Sequence, residues 1–448
     1  MSCASAEAFV FQSALGSHVF VTDGSRIYDL DRDSAAALET ASPSSIDSDL
    51  RRLGIADGAA RFISAEAPPP PALHALSLTV AHACNMGCGY CYADEGRFGG
   101  ASRMMNLETA MAGVDRLIME STPGSDIVLG FMGGEPLLNR SVVHATTRYA
   151  QAAAHRAGKR MRFSMTTNGT LITPEDAALF AAHRFNVAIS IDGDRAENDR
   201  VRRMHNGRGS YDRIVAGLET LNRHGRPRHL SARVTVTPRT AELARTLDHI
   251  IGLGFDSVGF AAVLTSPNPA LAFKTADFGR FLEEMIVCGR IALERLKAGQ
   301  RYPFSNFETA LHEIHRGTHR PYPCGAGAGY LSANAEGGLF ACHRLVDTPE
   351  FAMGDLYSGS DRARRSQHLT RSHVDRMAPC NGCWARYLCG GGCYHEVAKR
   401  GRDGCDYIRG WLAFCLASYA ELSQARPEYF DGAPASVAAG LRANTLAE

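Results

Sequence analysis

"ACNMGCGYCYADEG", residues 83–96, sets Cys84, Cys88 and Cys91 in a C-x3-C-x2-C spacing within one short segment. Three thiols are one ligand short of a closed structural zinc site, which takes four. The same three suit three irons of a four-iron cube, because iron–sulfur clusters are held by cysteine thiolates. The fourth iron is then left without a protein ligand and is open to a small molecule. A zinc site or a redox pair is the competing reading, since C-x2-C alone serves either. The run just before it, "ALSLTVA" (75–81), reads as a strand, so the cysteines lie in a loop at a strand's C-terminal end. That is where α/β folds gather their chemistry.

Downstream, strand-like runs alternate with helical patterns. "DIVLGFMG", "RFSMTTN", "NVAISID", "SARVTVT" and "SVGFAAVL" are separated by helices such as "NLETAMAGVDRLIME", "SVVHATTRYAQAAAHRAG" and "TPEDAALFAAHR". Six strands in βα alternation predict a parallel sheet with right-handed crossovers, as a partial barrel or an open sheet, over 75–315. Before it, "AFVFQSALGSHVFVTDGSRIYDLD" predicts short strands, and "SAAALETA" with a second short helix near 46–53 completes a small module within 1–66. "APPPPA" (67–72) reads as a stiff spacer between the two. From 318 to 425 the chain turns Gly- and Cys-rich, as for loops folded around metal, and 426–448 is a tail. There is no fixed-period repeat.

Composition excludes several classes. The chain has 448 residues, too many for one ordinary core, and a formal net charge of +1. That balance gives no support to a nucleic-acid or anionic-membrane partner. No apolar run approaches the roughly 18 residues that span a bilayer. The N-terminus, "MSCASAEAFVFQ", lacks a secretory signal, so a cytoplasmic location is expected. There the 13 cysteines are expected to be ligands rather than disulfides. Only Cys3 and Cys288 fall outside two groups, at 84–91 and at 324–415.

The C-x3-C-x2-C loop after a first strand resembles the radical S-adenosylmethionine (SAM) enzymes. The resemblance implies an α/β fold: a partial (β/α)6 TIM-like barrel, with a small N-terminal α+β module and a C-terminal Cys-rich Fe–S domain. It implies a [4Fe–4S] cluster on Cys84, Cys88 and Cys91 that binds SAM, and a 5′-deoxyadenosyl radical that abstracts hydrogen. Tyr90 then occupies the aromatic position beside the adenine. "GGEP", with Gly133, Gly134 and Glu135, is similar to the motif that binds the SAM amino group, and glycine carbonyls and a carboxylate do accept from an ammonium. "TTNG" with Asn168 and "SIDG" with Ser190 match the strand ends that meet the ribose and carboxylate of SAM. Arg202 resembles the arginine of an HDxxR pattern in which Asn198 replaces His; a solvated surface arginine is the alternative.

Cys324, Cys342, Cys380, Cys383, Cys389 and Cys393, with Gly337, match the SPASM extension. In relatives that extension carries two auxiliary Fe–S clusters, here expected to be [4Fe–4S]. The resemblance assigns Cys324, Cys342 and Cys393 to one, and Cys380, Cys383 and Cys389 to the other with a late cysteine, for which Cys415 and Cys405 compete. Structural zinc is the alternative for this region. A cysteine that sulfatase-maturing relatives place before Cys324 is missing from "IHRGTHRPYP". The first auxiliary cluster is therefore expected to have an open iron, unless Cys405 fills it. This is similar to thioether-forming peptide maturases, including those that mature quinohemoprotein amine dehydrogenase. The resemblance implies a peptide or small-protein substrate and a reducing flavodoxin- or ferredoxin-type electron donor; the N-terminal module either grips a leader segment, as in relatives, or is a plain packing domain. The expected chemistry is Cys sulfur-to-carbon cross-linking; the alternatives are oxidation of a Cys or Ser to formylglycine and a carbon–carbon cyclophane link. A zinc protein or an Fe–S electron carrier is the reading outside enzyme chemistry.

Overall fold

The computed structural model describes residues 7–42, 45–55, 63–240 and 242–431. The ends of the expected N-terminal module, 1–6 and 56–62, and the tail from 432 lie outside them. Strands β1 (Ala8–Ser13), β2 (Gly16–Val21) and β3 (Arg26–Leu30) form an antiparallel meander. Helices α1 (Arg32–Thr40) and α2 (Ile46–Arg52) join one face of it, where Val10, Val19, Leu38, Ile46 and Leu50 make a small core. Side chains alternate along a strand, so Phe9, Phe11 and Phe20 face the other way and join the main core. Phe9 stacks on Trp384 with ring centroids 4.1 Å apart, and Arg386 pairs with Glu7. The proline-rich segment thus links the module without holding it away; the module docks on the carboxy-terminal region.

The expected barrel is present. Strands β4 (Ala75–His82), β6 (Asp126–Gly133), β7 (Arg160–Thr167), β8 (Asn186–Ser190), β9 (His229–Val236) and β10 (Ser257–Ala262) run parallel in the order β10-β9-β8-β7-β6-β4. A two-residue strand, β5 (Arg103–Met104), pairs antiparallel with the end of β4. The crossovers carry α3 (Leu107–Glu120), α4 (Arg140–Arg156), α5 (Pro174–Ala182), α6 (Arg195–Val201), α7 (Tyr211–His224) and α8 (Leu243–Gly252). Helices α9 (Phe278–Lys297) and α10 (Ser305–His315) follow β10. Caps set several starts: Asn106 accepts from Thr109 N–H ahead of α3, and Thr173 and Asp176 form a capping box at α5. On β7, β8 and β9 the buried alternate positions, such as Phe163, Val187 and Val234, belong to the core. The other positions, among them Thr166, Ser190 and Arg233, line the lumen.

The carboxy-terminal region extends the same sheet. Strand β11 (Tyr330–Ala333) adds in parallel to the other edge of β4, with Tyr330 opposite Ala75. Strands β12 (Gly338–Phe340), β13 (Ala352–Asp355) and β14 (Gly359–Ser360) continue it antiparallel. Gly337 makes the β11–β12 turn at φ +94°, a left-handed conformation that favours glycine. Helices α11 (Arg362–Ser372), α12 (Arg386–Cys389), α13 (Tyr394–Arg400) and α14 (Cys405–Ala425) complete the described chain. Among the described residues, no helix is long and apolar enough to cross a membrane.

The aromatic dock predicts the behaviour of Phe9→Ala. Removing a buried phenylalanine costs about 3–5 kcal/mol, so the meander should detach and the 67–72 segment should become protease-sensitive while the barrel stays folded. Limited proteolysis with chemical denaturation measures both; unchanged cleavage would show that the Phe9–Trp384 stack does not hold the module.

Candidate functional site

Strand β4 ends at His82, and β5 returns antiparallel to it through Ala81↔Met104 and His82↔Arg103. The excursion between them is the cysteine loop, pinned at both ends. Asp94, Glu95 and Phe98 take positive φ values of 48°, 55° and 53°, left-handed geometry that costs non-glycine residues about 1–3 kcal/mol each and is found at functional sites. A second clamp comes from the segment after α6. Gly87 N–H donates to Arg203 O and Gly89 N–H to Val201 O, each at 2.9 Å, and His205 Nε2 lies 3.0 Å from Cys84 O. Cys88 and Cys91 both raise the pKa of Cys84, and Cys91 raises that of Cys88, so the loop brings all three thiols together. Burial is the larger cause and pushes Cys84 up to about 12. Both shifts favour the protonated thiols of Cys84 and Cys88, and a metal bound there must displace those protons.

"GGEP" lies against this loop. A Cβ on Gly133 would sit 2.3 Å from Ala81 O, and one on Gly134 2.3 Å from Ala83 O, so glycine is required by close approach. Gly134 N–H donates to Ala81 O and Glu135 N–H to Ala83 O at 2.9 Å. The Glu135 carboxylate is fully buried and accepts from Thr167 Oγ1 at 2.8 Å, Asn168 N–H at 2.7 Å and Leu137 N–H at 3.0 Å. Burial raises its pKa, and these hydrogen bonds pull the other way. Glu135 therefore ties the ends of β6 and β7 together, a structural duty the motif alone does not show. Truncating it would strand buried donors at about 1–3 kcal/mol apiece. Asn168 Nδ2 donates to Asn85 Oδ1 at 2.8 Å and approaches Cys84 Sγ at 3.8 Å.

Arg202 is not a surface charge: it is 5% exposed. Its Nη1 donates to Tyr90 OH at 2.6 Å, and Tyr90 OH donates to Asp192 Oδ2 at 2.5 Å. Asp192 Oδ1 in turn accepts from Thr235 N–H at 2.7 Å. Burial works against the Arg202 charge, and Tyr90, Cys88 and Asp192 outweigh it. Asp192 was not singled out by the sequence reading, although it lies two residues beyond Ser190 in the quoted "SIDG". Arg202 Nε is buried without a partner, beside Cys88. A guanidinium edge with a spare N–H suits a carboxylate. Ser190 pairs in register with Arg233 at the C-terminal end of β8.

The later cysteines separate into two sets. Cys393 raises the pKa of Cys324, and Cys324 and Cys393 raise that of Cys342, which burial pushes up to about 12. Cys380, Cys383, Cys389 and Cys405 form the second set by the same criterion. Three successive glycines, Gly390, Gly391 and Gly392, all at positive φ, carry the chain from Cys389 in one set to Cys393 in the other. Cys415 joins neither. It lies ten residues after Cys405 on α14, about 15 Å along the axis at 1.5 Å per residue, fully buried in the main core. Its pKa is raised by burial alone. All twelve described cysteines are free thiols.

Residues 78–250 match the family model described as the Radical SAM superfamily. The chain carries a radical SAM domain. That domain belongs to an enzyme class that uses a four-iron cluster and SAM, and the residues fit such a group: three converging thiols, with a buried guanidinium N–H left over beside them. The serine-type anaerobic sulfatase-maturating enzyme of Klebsiella aerogenes is 26% identical over 352 residues, covering 76% of this chain and 84% of that protein. Mycofactocin maturase MftC of Mycolicibacterium smegmatis is 37% identical over 152 residues, 34% of each chain. Among solved structures, anSMEcpe with bound AdoMet superposes with a TM-score of 0.69 at 18% identity, over 79% of this chain and 96% of that one. Streptococcus suis SuiB bound to its precursor peptide SuiA gives 0.53 at 13%, over 90% and 98%. These likenesses show that the radical SAM barrel and much of the remaining chain share the fold of those structures.

The division of the thiols predicts a contrast within one helix. After anaerobic reconstitution, Cys405→Ala should lose iron while Cys415→Ala keeps the wild-type iron and sulfide content and loses only stability. Equal iron loss in both, or loss in Cys415→Ala alone, would reverse the assignment.

Proposed function

We propose that the chain is a radical SAM maturase that modifies a side chain of a ribosomally made peptide or protein, joining a cysteine sulfur to a carbon as a thioether. SAM on a four-iron cluster supplies, after one-electron reduction, a 5′-deoxyadenosyl radical that takes hydrogen from an unactivated carbon. Cys84, Cys88 and Cys91 would hold that cluster, with Tyr90 beside the adenine and Gly133, Gly134 and Glu135 at the amino group. Asn168 and Ser190 would meet the ribose and carboxylate edge, and the spare Arg202 N–H would take the carboxylate.

One observation carries the thioether reading. Cys405 sits with Cys380, Cys383 and Cys389, so it does not complete Cys324, Cys342 and Cys393. In this reading the second auxiliary cluster is closed by four thiolates, and the first keeps one position for a substrate sulfur. A coordinated thiol is held as the thiolate, the nucleophilic form. The likeness to a serine-type sulfatase-maturating enzyme, over 76% of this chain and 84% of that protein, favours formylglycine formation as the second reading.

The N-terminal module supports capture of a leader segment. Among the described residues β3 pairs only with β2, and its outer edge offers backbone groups to which an extended peptide adds as a strand. A flavodoxin- or ferredoxin-type protein would deliver the electron.

Replacing Cys84, Cys88 and Cys91 together by Ala should remove one cluster's iron, leave the rest, and abolish 5′-deoxyadenosine release from SAM under dithionite. Retained release, followed by chromatography, would sink the radical reading.

A further inference from the structure

We infer that Arg233 is an anion anchor for the substrate: its guanidinium receives a carboxylate of the peptide in the barrel lumen, between the SAM-cluster loop and the Cys324, Cys342 and Cys393 set. The inference rests on the peptide-substrate reading above and narrows it to a segment with an acidic side chain or a free C-terminus at the reacting site.

Arg233 stands on β9 in register with Ser190, among the lumen-facing positions of that strand. It is solvent-accessible, yet burial and the neighbouring Arg344 depress its pKa, with Tyr92, Cys393 and Tyr90 acting in the opposite sense. A group both wetted and deep lines an internal space rather than the outer surface. Tyr92 behaves alike: it is 40% exposed, while burial pushes its hydroxyl up to about 12. The Arg233 neighbours Arg344 and Tyr92 touch each other, Tyr92 directly follows Cys91, and Arg344 reaches Cys393, so Arg233 lies between the two thiol sets.

The other cations of this space are already engaged. Arg344 pairs with Glu396, lies over the Tyr92 ring at 4.5 Å, and directs Nη1 to Cys393 Sγ at 4.0 Å. Arg202 is held by Tyr90. Among the described residues Arg233 makes no hydrogen bond or ion pair. A cation set in a confined site without a carboxylate, and next to another cation, is stabilised by an incoming anion. The planar guanidinium fork fits a carboxylate through two parallel bonds.

The test uses reconstituted, SAM-loaded wild-type enzyme and Arg233→Gln. The probes are two synthetic hexapeptides, acetyl-Gly-Cys-Gly-Asp-Gly-Gly-amide and its Asn counterpart, with N-acetylglutamate α-amide as a small probe. Calorimetry on the wild type should show the Asp peptide binding about tenfold or more tightly than the Asn peptide, the size of a lost charge-assisted bond. Arg233→Gln should bind both peptides equally, with SAM affinity unchanged. A preference that persists in the variant overturns the inference. So does a loss of SAM affinity, which would give the anchor to SAM. A shifted auxiliary-cluster potential with the peptide preference intact overturns it too, by giving the charge to the cluster. If neither peptide binds the wild type but the glutamate amide binds through Arg233, the anion site stands and the peptide reading falls. If no probe binds, the anchor itself is rejected.

Discussion

Strand β4 is the member on which the rest of the architecture depends. It is paired on both edges, to β6 in the barrel and to β11 of the carboxy-terminal region, and all eight of its residues are buried. Its last residues bond to β5, and Ala81 and Ala83 just beyond receive the backbone of "GGEP". One strand therefore positions the three-cysteine loop, the glycine motif and the β11–β12 hairpin that Cys324 and Cys342 flank. Tyr330 OH donates to Ser77 Oγ at 3.0 Å and fixes the rotation of β11 on β4. The segments that carry the two thiol sets are thus held by one continuous sheet.

The separation of the auxiliary thiols follows from backbone constraints rather than from cysteine chemistry. Three left-handed glycines after Cys389 reverse the chain within a few residues, and a Cβ at Gly390 would lie 2.3 Å from Tyr322 O. Helix α14 then starts at Cys405 and carries Cys415 away into the core. A helix cannot fold back within ten residues, so Cys405 and Cys415 cannot be ligands of one cluster. The same rigidity leaves Cys324, Cys342 and Cys393 without a fourth cysteine among the described residues.

Much of this was legible in the sequence, for identifiable reasons. The β/α alternation is local, and the strand-ending motifs carry their own spacing, so the barrel, the cysteine loop and "GGEP" could be read residue by residue. Non-local features were not. The addition of β11 to β4 joins segments some 250 residues apart, and its short strands lie in Gly-rich sequence that resembles loop. The Tyr90–Asp192–Arg202 chain needs three separate segments brought together, and a buried Arg202 looks like a solvated one until Asp192 is placed. Cys405 and Cys415 compete in the sequence, and only the continuous helix through "CDYIRGWLAFC" separates them, by its rise per residue.

The central claim is that three thiolates, and no fourth cysteine, face the reaction space from the auxiliary side. A Mössbauer spectrum tests it most directly, on substrate-free Cys84→Ala/Cys88→Ala/Cys91→Ala protein reconstituted with 57Fe, which removes the open iron of the SAM cluster from view. The account predicts two remaining clusters, one with four equivalent thiolate-ligated irons and one with a distinct iron whose signal changes when a small thiol is added. Two fully thiolate-ligated clusters, unresponsive to added thiol, would contradict it.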